Sequence, residues 1–455
     1  MKFLKDIKIN VPADVNFILT TLIDNGFEAY IVGGCVRDSI LGLAPKDWDI
    51  TTRALPAQVK SLFNNTVDSG IQHGTVMVII HGTGYEVTTF RIDGEYKDSR
   101  HPESVEFTPS LEEDLKRRDF TINAFAYNDA GVVDMFDGMA DLNAGIIRAV
   151  GDPYRRFDED ALRIMRAVRF AAQLSYTIEP ETLGAIRHFA ERIGNVSMER
   201  IRVEFEKTLF SANPSYVNMF REFGLAPYII RDNNIGNVMD KSAGNVTAAH
   251  GEAAGAAGNV PADHIEAADN DICSRCFDEE ASALYERFTL KTMKELPSGA
   301  CLSEEPEHDV KILRLAAFFK NLSSEEVKKV MRSMTFDNKT KDLVAGLISC
   351  LDIDVNADRI QLKKYLKTYG AELVKLVFIY KNAAEPAVKE LSDIFGKNEP
   401  YSIAQLKVNG SELIAAGIPA GETIGRVLNF LTDKVIENPC LNSKEVLTEL
   451  AGEYV

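Results

Sequence analysis

The 455-residue chain lacks any uninterrupted apolar run near the ~18 residues that mark a membrane-spanning helix. Its opening stretch, MKFLKDIKIN, contains no apolar segment of the kind found in secretory signals. Its cysteines are few and scattered: Cys35, Cys273, Cys276, Cys301, Cys350 and Cys440. This spacing disfavours a disulfide framework, so we expect a cytoplasmic protein that makes no use of a membrane.

Positive charge is also scarce, because 51 Lys and Arg face 68 Asp and Glu, for a formal net charge of −17. Such a balance argues against a polyanionic partner unless basic residues cluster locally. They do cluster in residues 146–175, which carry six arginines against four acidic residues, and Arg200, Arg202 and Lys207 follow. Binding to a nucleic acid is therefore not excluded, and its affinity would be sensitive to salt.

The patterns that are present divide the chain into two kinds of region. Residues 28–52 predict a strand, a glycine turn, a short helix and a second strand, and GTVMVII with YEVTTF predicts a hairpin. Ser110 with Glu113 predicts the capped start of a helix that leads to LKRRDF, and TINAFAYN, at residues 121–128, predicts its continuation. From Phe157 onward the apolar spacing is almost wholly helical, apart from a Gly- and Ala-rich stretch at 233–270. We expect an α+β fold class, with a small mixed β-sheet and helices in the head and an all-α remainder.

Asp47 and Asp49, in KDWDI, lie two residues apart in a predicted strand. Alternate residues of a strand face the same side, so both carboxylates can converge on one site while Trp48 points away. Mg²⁺ takes one or two carboxylates together with substrate phosphates, and the pair suits it. The alternative for an isolated pair of this kind is a solvated strand end.

The glycine turn before this pair favours a phosphate-binding role. Gly33 and Gly34 precede a predicted helix whose first N–H groups can receive phosphate, and Arg37 adds a fork-shaped cation. Glu86, on a neighbouring predicted strand, is a candidate third carboxylate, although its position fits an outward-facing strand residue equally well. Together these residues predict metal-dependent chemistry on a phosphorylated substrate.

Three segments in order carry a family resemblance: GGCVRDSILGLAPKDWDI, RRDFTINAFAYN and RFDEDALRIMRAVRFAAQ. They resemble the motifs of the bacterial-type (class II) tRNA nucleotidyltransferases, the CCA-adding enzymes of the polymerase-β nucleotidyltransferase superfamily. ERIRVEF at 199–205 and a glycine-punctuated tail are also similar. The resemblance implies template-independent addition of C, C and A to the 3′ end of tRNA from CTP and ATP, by two-metal nucleotidyl transfer that releases pyrophosphate. Addition of A alone, or poly(A) synthesis, is the alternative, and a catalytically silent RNA-binding scaffold is a more distant one.

The resemblance also implies residue roles. Asp47 and Asp49 would bind Mg²⁺, with Glu86 as the third catalytic carboxylate, and Asp119 and Asn123 would order the site. The implied nucleotide-binding residues are Gly33, Gly34, Arg37, Arg118, Asp119, Asn123, Asp160, Arg163, Arg166 and Arg169.

The implied organisation has five parts. They are a nucleotidyltransferase catalytic head at 1–150, a helical neck with the nucleotide-selecting helix at 151–232, a flexible insert at 233–270, a helical body at 271–400 and a helical, tRNA-binding tail at 401–455.

Asp160 and Arg163 give nucleotide selection a physical basis, because residues i and i+3 are neighbours on a helix surface. Cytosine and adenine each present an amino donor beside a ring-nitrogen acceptor, which a carboxylate and a guanidinium can match. Guanine and uracil present the opposite pattern, and such polar mismatches can reject a substrate by ~10⁴-fold. An ordinary surface ion pair is the alternative.

Several further features narrow the function. Residues 93–109 predict a long loop, and its part from Asp93 to Phe107 resembles the flexible loop that CCA- and A-adding enzymes possess and CC-adding enzymes lack, which disfavours CC-only addition. RLAAFF is followed by Lys320-Asn321 where related phosphohydrolase domains carry His-Asp, so we expect no such activity. Arg155 and Arg156 either contact RNA phosphate or lie on an ordinary surface. A zinc site remains open at four residues: Cys273, Cys276, Cys301 and His308.

Overall fold

The computed structural model describes residues 3–94, 105–231, 272–289 and 306–454. The chain forms two compact units that divide between Arg231 and Asp232. The predicted insert at 233–270 lies outside the described residues, as does most of the predicted loop at 93–109. No helix in the described ranges is long and apolar enough to cross a membrane.

The first unit is built on a mixed sheet. The strands are β1 (Phe3–Leu4), β2 (Ala29–Val32), β3 (Asp49–Thr52), β4 (Thr66–Gly70), β5 (Thr75–Ile80), β6 (Thr83–Thr89), β7 (Arg91–Asp93), β8 (Val105–Phe107), β9 (Phe125–Asn128), β10 (Gly131–Asp134), β11 (Ile146–Ile147) and β12 (Thr177–Ile178). Eight of them form one sheet in the order β1-β10-β9-β2-β3-β6-β5-β4, in which β3 and β6 are parallel and the other neighbours antiparallel. The α+β fold class and the hairpin of β5 and β6 are therefore confirmed.

The helices of this unit flank the sheet and continue beyond it. They are α1 (Ala13–Asp24), α2 (Gly34–Ile40), α3 (Pro56–Leu62), α4 (Leu111–Lys116), α5 (Gly138–Ala144), α6 (Pro153–Glu159), α7 (Leu162–Leu174), α8 (Pro180–His188), α9 (Met198–Leu209), α10 (Met219–Glu222) and α11 (Ala226–Ile229). The Ser110 hydroxyl accepts a hydrogen bond from the N–H of Glu113 at the start of α4, as the predicted capping pattern requires. A core forms where α4 meets the sheet: Tyr30, Val32, Phe90, Leu111, Leu115, Ala126 and Val133.

The prediction of a continuous helix through TINAFAYN is wrong. Thr121–Asn123 forms a single 3₁₀ turn, and the chain then enters β9, which pairs with both β2 and β10. Phe125, Ala126 and Tyr127 are buried in succession. A strand covered on both faces has the same continuous apolar pattern as a buried helix segment, so periodicity could not distinguish the two.

The predicted head and neck share one unit. β11 pairs in parallel with β12 across the expected boundary at residue 150, and α7 packs against both strands. An ion pair between Asp119 of the predicted head and Arg166 of the predicted neck also joins the two parts.

The second unit is all-helical in its described residues. Its helices are α12 (Ile272–Cys276), α13 (Ser282–Arg287), α14 (Pro306–Phe318), α15 (Ser324–Ser333), α16 (Asn338–Ser349), α17 (Arg359–Tyr369), α18 (Ala371–Tyr380), α19 (Glu385–Gly396), α20 (Gly410–Ala415), α21 (Glu422–Glu437) and α22 (Lys444–Tyr454). The last three helices enclose their own apolar core: Val408, Leu413, Ile418, Val427, Leu431, Val435, Leu447 and Ala451. An ion pair between Lys367 and Asp433, 2.7 Å long, ties α17 to α21.

Candidate active site

Two carboxylates meet where β3 and β6 run side by side. Asp49 begins β3, and the parallel register that pairs Ile50 with Val87 places Asp49 beside Glu86. Asp47 lies two residues before the strand begins, so only Asp49 of the predicted pair is within it. Asp49 and Glu86 line a cavity of about 230 Å³ whose walls are Val32, Asp49, Ile50, Thr75, Glu86, Thr88, Arg91, Arg117 and Arg118.

The three carboxylates act on one another electrostatically. Partial loss of water in the cavity raises the pKa of Asp49, Arg118 opposes that rise, and the charge of Asp47 adds to it. Loss of water also raises the pKa of Glu86, to which the charges of Asp49 and Asp47 contribute. Concentrated negative charge of this kind is relieved by a cation.

The donor set fits a cation that draws the rest of its ligands from substrate and water. In the described residues, no group of three or more His, Cys, Asp or Glu side chains is placed to hold a metal by itself. Mg²⁺ is such a cation, since it is usually bound by one or two carboxylates and keeps phosphate oxygens and waters as its remaining ligands.

The glycine turn lies against Arg118. Gly33 has a φ of +78° between β2 and α2, and its N–H donates to the carbonyl oxygen of Phe125 at 3.1 Å. A Cβ atom added at Gly33 would lie 2.9 Å from Nη1 of Arg118. The next glycine is less constrained, since a Cβ at Gly34 would lie 3.6 Å from Nη2 of Arg37. The turn thus brings backbone within contact distance of a guanidinium that lines the cavity.

For CTP, the substrate that the family resemblance implies, Gly33→Ala should raise the Michaelis constant about tenfold, because the added Cβ would displace Arg118, in addition to the ~1–2 kcal/mol strain of a side chain at positive φ. Steady-state incorporation at varied CTP measures it. Gly82→Ala, at a φ of +84° in the hairpin turn with open space around it, controls for backbone strain alone. Equal effects of both variants would contradict a role for the contact with Arg118.

A buried polar chain links four of the predicted residues. Nη1 of Arg37 donates to Oδ1 of Asn123, whose Nδ2 donates to Oδ1 of Asp119 at 3.1 Å. Oδ2 of Asp119 accepts from Nε of Arg166 at 2.8 Å. Burial alone would raise the pKa of Asp119, but Arg166 and the hydrogen bonds from Asn123 and Arg166 hold it well below its usual range. Asp119 and Asn123 thus contact the arginines of the site.

Phe170, which the sequence analysis did not single out, is surrounded by three of the predicted arginines. The guanidinium of Arg169 lies 4.0 Å from the ring centroid, that of Arg37 5.1 Å and that of Arg166 5.4 Å. Arg169 also pairs with the buried Glu204 of α9 at 2.7 Å. Burial lowers the pKa of Arg169 to about 10, against the opposing charge of Glu204. Glu204 lies in the ERIRVEF segment, which the sequence analysis used only as part of the family resemblance, without assigning Glu204 a role.

Asp160 and Arg163 are not paired as neighbours on one helix surface, and that expectation is wrong. Asp160 has extended backbone angles between α6 and α7, and its Oδ1 accepts from the N–H of Leu162 at 3.0 Å. Its Oδ2 lies 3.3 Å from Nη2 of Arg200. The break between α6 and α7 at Asp160 thus takes its carboxylate off the surface of α7, to a position where it accepts from the N–H of the first helical residue.

Arg163 takes other partners. Its Nη1 donates to Oε2 of Glu159 at 2.9 Å and to the carbonyl oxygen of Arg156 at 3.0 Å, and its Nη2 donates to the carbonyl oxygen of Arg117 at 3.1 Å. Glu159, four residues before Arg163, holds the guanidinium in place. The sequence shows that Glu159 and Arg163 have the i, i+4 spacing of an ion pair on a helix. It does not show whether Arg163 pairs with Glu159 or with Asp160.

Asp114 is a second residue that sequence reasoning missed. Its side chain is fully buried and accepts from Thr51 at 3.2 Å, from the N–H of Arg91 at 3.3 Å and from Nη2 of Arg117 at 2.8 Å. Burial alone would raise the pKa of Asp114, but Arg117 and Arg118 hold it below its usual value. Its spacing of three and four residues from these arginines was the available signal.

Among the described residues no group of three or more His, Cys, Asp or Glu side chains around a cysteine could hold a metal, and the zinc site at Cys273, Cys276, Cys301 and His308 stays a prediction. Cys35 is buried and donates to the carbonyl oxygen of Val32 at 3.3 Å, and burial raises the pKa of its thiol to about 11. A thiol in that state packs as a small filler and is a poor nucleophile. Cys273 and Cys276 are buried on α12, and Cys301 lies outside the described residues.

Adjacent carboxylates on a mixed sheet, a glycine turn and surrounding arginines define a nucleotidyltransferase head. The profile of the poly A polymerase head domain matches residues 29–148. Profiles described as "Probable RNA and SrmB-binding site of polymerase A" and as tRNA nucleotidyltransferase domain 2 match residues 175–233 and 307–451.

The chain belongs to the family of CCA-adding enzymes. It is 38% identical to the CCA-adding enzyme of Leuconostoc mesenteroides over 97% of its own length and 96% of that protein. It is 35% identical to the enzyme of Ligilactobacillus salivarius, over 96% and 95%. The crystal structure of the Bacillus stearothermophilus CCA-adding enzyme in complex with CTP matches with a TM-score of 0.72 at 29% identity, covering 97% of this chain and 96% of that one.

Proposed function

We propose that this chain adds C, C and A to the 3′ end of tRNA from CTP and ATP and releases pyrophosphate. The observation that carries the chemistry is the cavity in which Asp49 and Glu86 face Arg118 beside the Gly33 turn. Family membership supports the substrates. The cytoplasm, where tRNA is processed, is the proposed compartment.

Asp47 and Asp49 would hold Mg²⁺, with Glu86 as the third carboxylate of the site. When bound, the metal lowers the pKa of the attacking 3′-hydroxyl and neutralises charge on the reacting oxygens. The carboxylates of this chain fix where that positive charge lies and so determine which phosphate is attacked. This assignment is supported by the strand register that places Asp49 beside Glu86 and by the charges of Asp47 and Asp49, which raise the pKa of Glu86.

Arg118 and the Gly33-Gly34 turn would bind the triphosphate. In the described residues Nε of Arg118 is buried without a hydrogen-bond partner, and its Nη2 lies 3.7 Å from Asp114, a distance that leaves capacity for a ligand. Arg37 is buried against Asp38 and Asn123, so it would contribute charge and hold the turn in place. Positioning and electrostatic stabilisation supply most of the catalysis in phosphoryl-type transfers.

Asp160 and Arg163 would select cytosine and adenine by the pattern of hydrogen-bond donors and acceptors on the edges of these bases. The hydrogen bonds that Glu159 and two carbonyl oxygens accept from Arg163 would hold its guanidinium at one position. Arg200 would do the same for Asp160. Arg166 and Arg169 would border the nucleotide pocket around Phe170. Preorganised groups of this kind are the ones that discriminate most strongly between bases.

The remaining parts would hold tRNA. We assign residues 1–150 to the catalytic head, 151–232 to the neck, 271–400 to the body and 401–455 to the tail, with 233–270 as an insert. The family profiles at 175–233 and 307–451 support RNA-related roles for the neck and for most of the body and tail.

Incorporation into tRNA transcripts that end before CCA, after C and after CC tests the function. With CTP, ATP and Mg²⁺ the shortest transcript should gain CCA, and GTP or UTP should be used ~10⁴-fold less efficiently. Extension of only the CC-ended transcript, with ATP, would instead identify an A-adding enzyme, and long A tails a poly(A) polymerase. No incorporation on any transcript would support the scaffold alternative.

A further inference from the structure

A second, smaller cavity of the first unit borders the cavity that Asp49 and Glu86 line, which is named the nucleotide cavity. It has a volume of about 100 Å³ and is lined by Ile92, Glu113, Lys116, Arg117, Arg155, Arg156 and Glu159. Three elements meet here, because these residues come from β7, from the end of α4 with Arg117 just after it, and from α6. Arg117 also lines the nucleotide cavity, so this one residue borders both.

The walls of this cavity carry an excess of positive charge, with four cations against two carboxylates. The Arg155 side chain is 77% exposed, and its Nε lies 3.3 Å from Glu159. Lys116 is 56% exposed, and its Nζ lies 3.7 Å from Glu113. Exposed ion pairs of this kind contribute little free energy, so an anionic ligand can replace the carboxylate at small cost.

Arg117 is held more firmly than Lys116 and Arg155. Its Nε and Nη2 donate to the buried carboxylate of Asp114 at 3.1 and 2.8 Å, and the Arg117 side chain is 17% exposed. Its carbonyl oxygen accepts from Arg163. The cavity therefore has two largely buried, hydrogen-bonded cations, Arg117 and Arg156, and two exposed ones, Lys116 and Arg155.

We propose that Lys116, Arg117 and Arg155 hold the phosphodiester that precedes the 3′-terminal nucleotide of the RNA acceptor. The inference rests on the proposed function, because the acceptor's 3′-hydroxyl must enter the nucleotide cavity and its last phosphodiester then lies just outside. The second cavity borders the first, has the required charge, and has less than half its volume, which suits a phosphate group better than a second nucleotide. Ile92, 37% exposed, offers an apolar contact for the adjoining ribose.

The double variant Lys116→Ala with Arg155→Ala tests the subsite. The Michaelis constant for a tRNA transcript should rise about tenfold, while the constant for CTP at saturating RNA stays within about twofold. The slope of log affinity for RNA against log salt should become shallower by about one. Arg53→Ala with Lys60→Ala removes the same charge from exposed residues that line neither cavity, and should leave the transcript constant unchanged.

An RNA with a neutral methylphosphonate at its last linkage identifies the phosphate concerned. This RNA should bind the wild-type chain about tenfold more weakly than the natural transcript, and the double variant, which retains Arg117, should distinguish the two RNAs less strongly than the wild type does. A transcript constant unchanged in the double variant, or a methylphosphonate penalty undiminished in it, would overturn the subsite. Direct RNA-binding measurements separate this result from the proposed function: a chain that binds RNA through these cations yet incorporates nothing contradicts the function and supports the subsite.

Discussion

Asp49→Asn should lower the incorporation of CMP by roughly 10³-fold or more at saturating CTP, RNA and Mg²⁺, a loss of about 4 kcal/mol of transition-state stabilisation. The substitution preserves the shape of the side chain at the start of β3 and removes the charge that Arg118 and Glu86 face. Glu86→Gln should cost less, because Glu86 is proposed as a third carboxylate and not as a principal ligand. Single-turnover incorporation, followed by gel separation of the products, measures both effects.

Asp68→Asn is the matched control for this variant. Asp68 is an exposed carboxylate of the same unit, 54% accessible, and pairs only with Lys60 among the described residues. Its substitution should leave turnover unchanged. Turnover of Asp49→Asn close to that of Asp68→Asn, with both proteins folded, would contradict the assignment of Asp49 to the metal.

Asp119→Asn should lower the free energy of unfolding of the first unit by about 3 kcal/mol at pH 7. Asp119 is 8% exposed, and its Oδ2 accepts two hydrogen bonds from Arg166. An asparagine would present an amide N–H₂ or an uncharged oxygen there and leave a guanidinium without its counter-charge. Urea unfolding followed by the fluorescence of Trp48, the chain's single tryptophan, reports on this unit alone.

The stability difference should depend on pH in one direction. The pKa of Asp119 in the folded chain lies well below its usual value, so the stabilisation is fully present above the unfolded-state pKa of about 3.9. It is lost as the pH falls from that value toward the folded-state pKa, where the wild-type chain also becomes protonated at Asp119. The difference between wild type and variant should therefore be constant from about pH 5 to 7 and shrink in acid. A difference that stays constant down to pH 3 would contradict the ion-pair explanation.

Several features of this protein could be predicted because they depend on residues that are close together in the sequence. Asp47 and Asp49 are held close by the covalent chain itself, whatever the fold around them. Gly33 occupies a positive-φ turn that glycine favours, and Ser110 caps a helix three residues before Glu113, as their spacing predicts. Two β-prone runs, GTVMVII and YEVTTF, separated by a short glycine-containing segment, also specified the hairpin of β5 and β6.

Contacts between residues that are far apart in the sequence could not be predicted from local spacing. Asp119 and Arg166 are 47 residues apart, and Arg169 meets Glu204 on another helix. The sequence offered each arginine of α7 several acidic partners, including Glu159 and Asp160 for Arg163. Which acidic residue pairs with each arginine depends on which two side chains the packing of α6, α7 and α9 buries next to each other. The attraction between opposite charges is strongest where the dielectric constant is low.

The sequence by itself determined the fold class, the family and the Asp47–Asp49 pair of the proposed active site, because these depend on residue types at short, fixed spacing, whereas the β3–β6 register was needed to bring Glu86 beside Asp49. Only the tertiary structure decided that TINAFAYN contains a central strand, that Asp114 joins β3, β7 and two arginines, and that Arg117 borders two cavities. Each of these follows from burial on more than one side. Burial is a property of the assembled sheet and helices, and a local pattern of residues does not carry it.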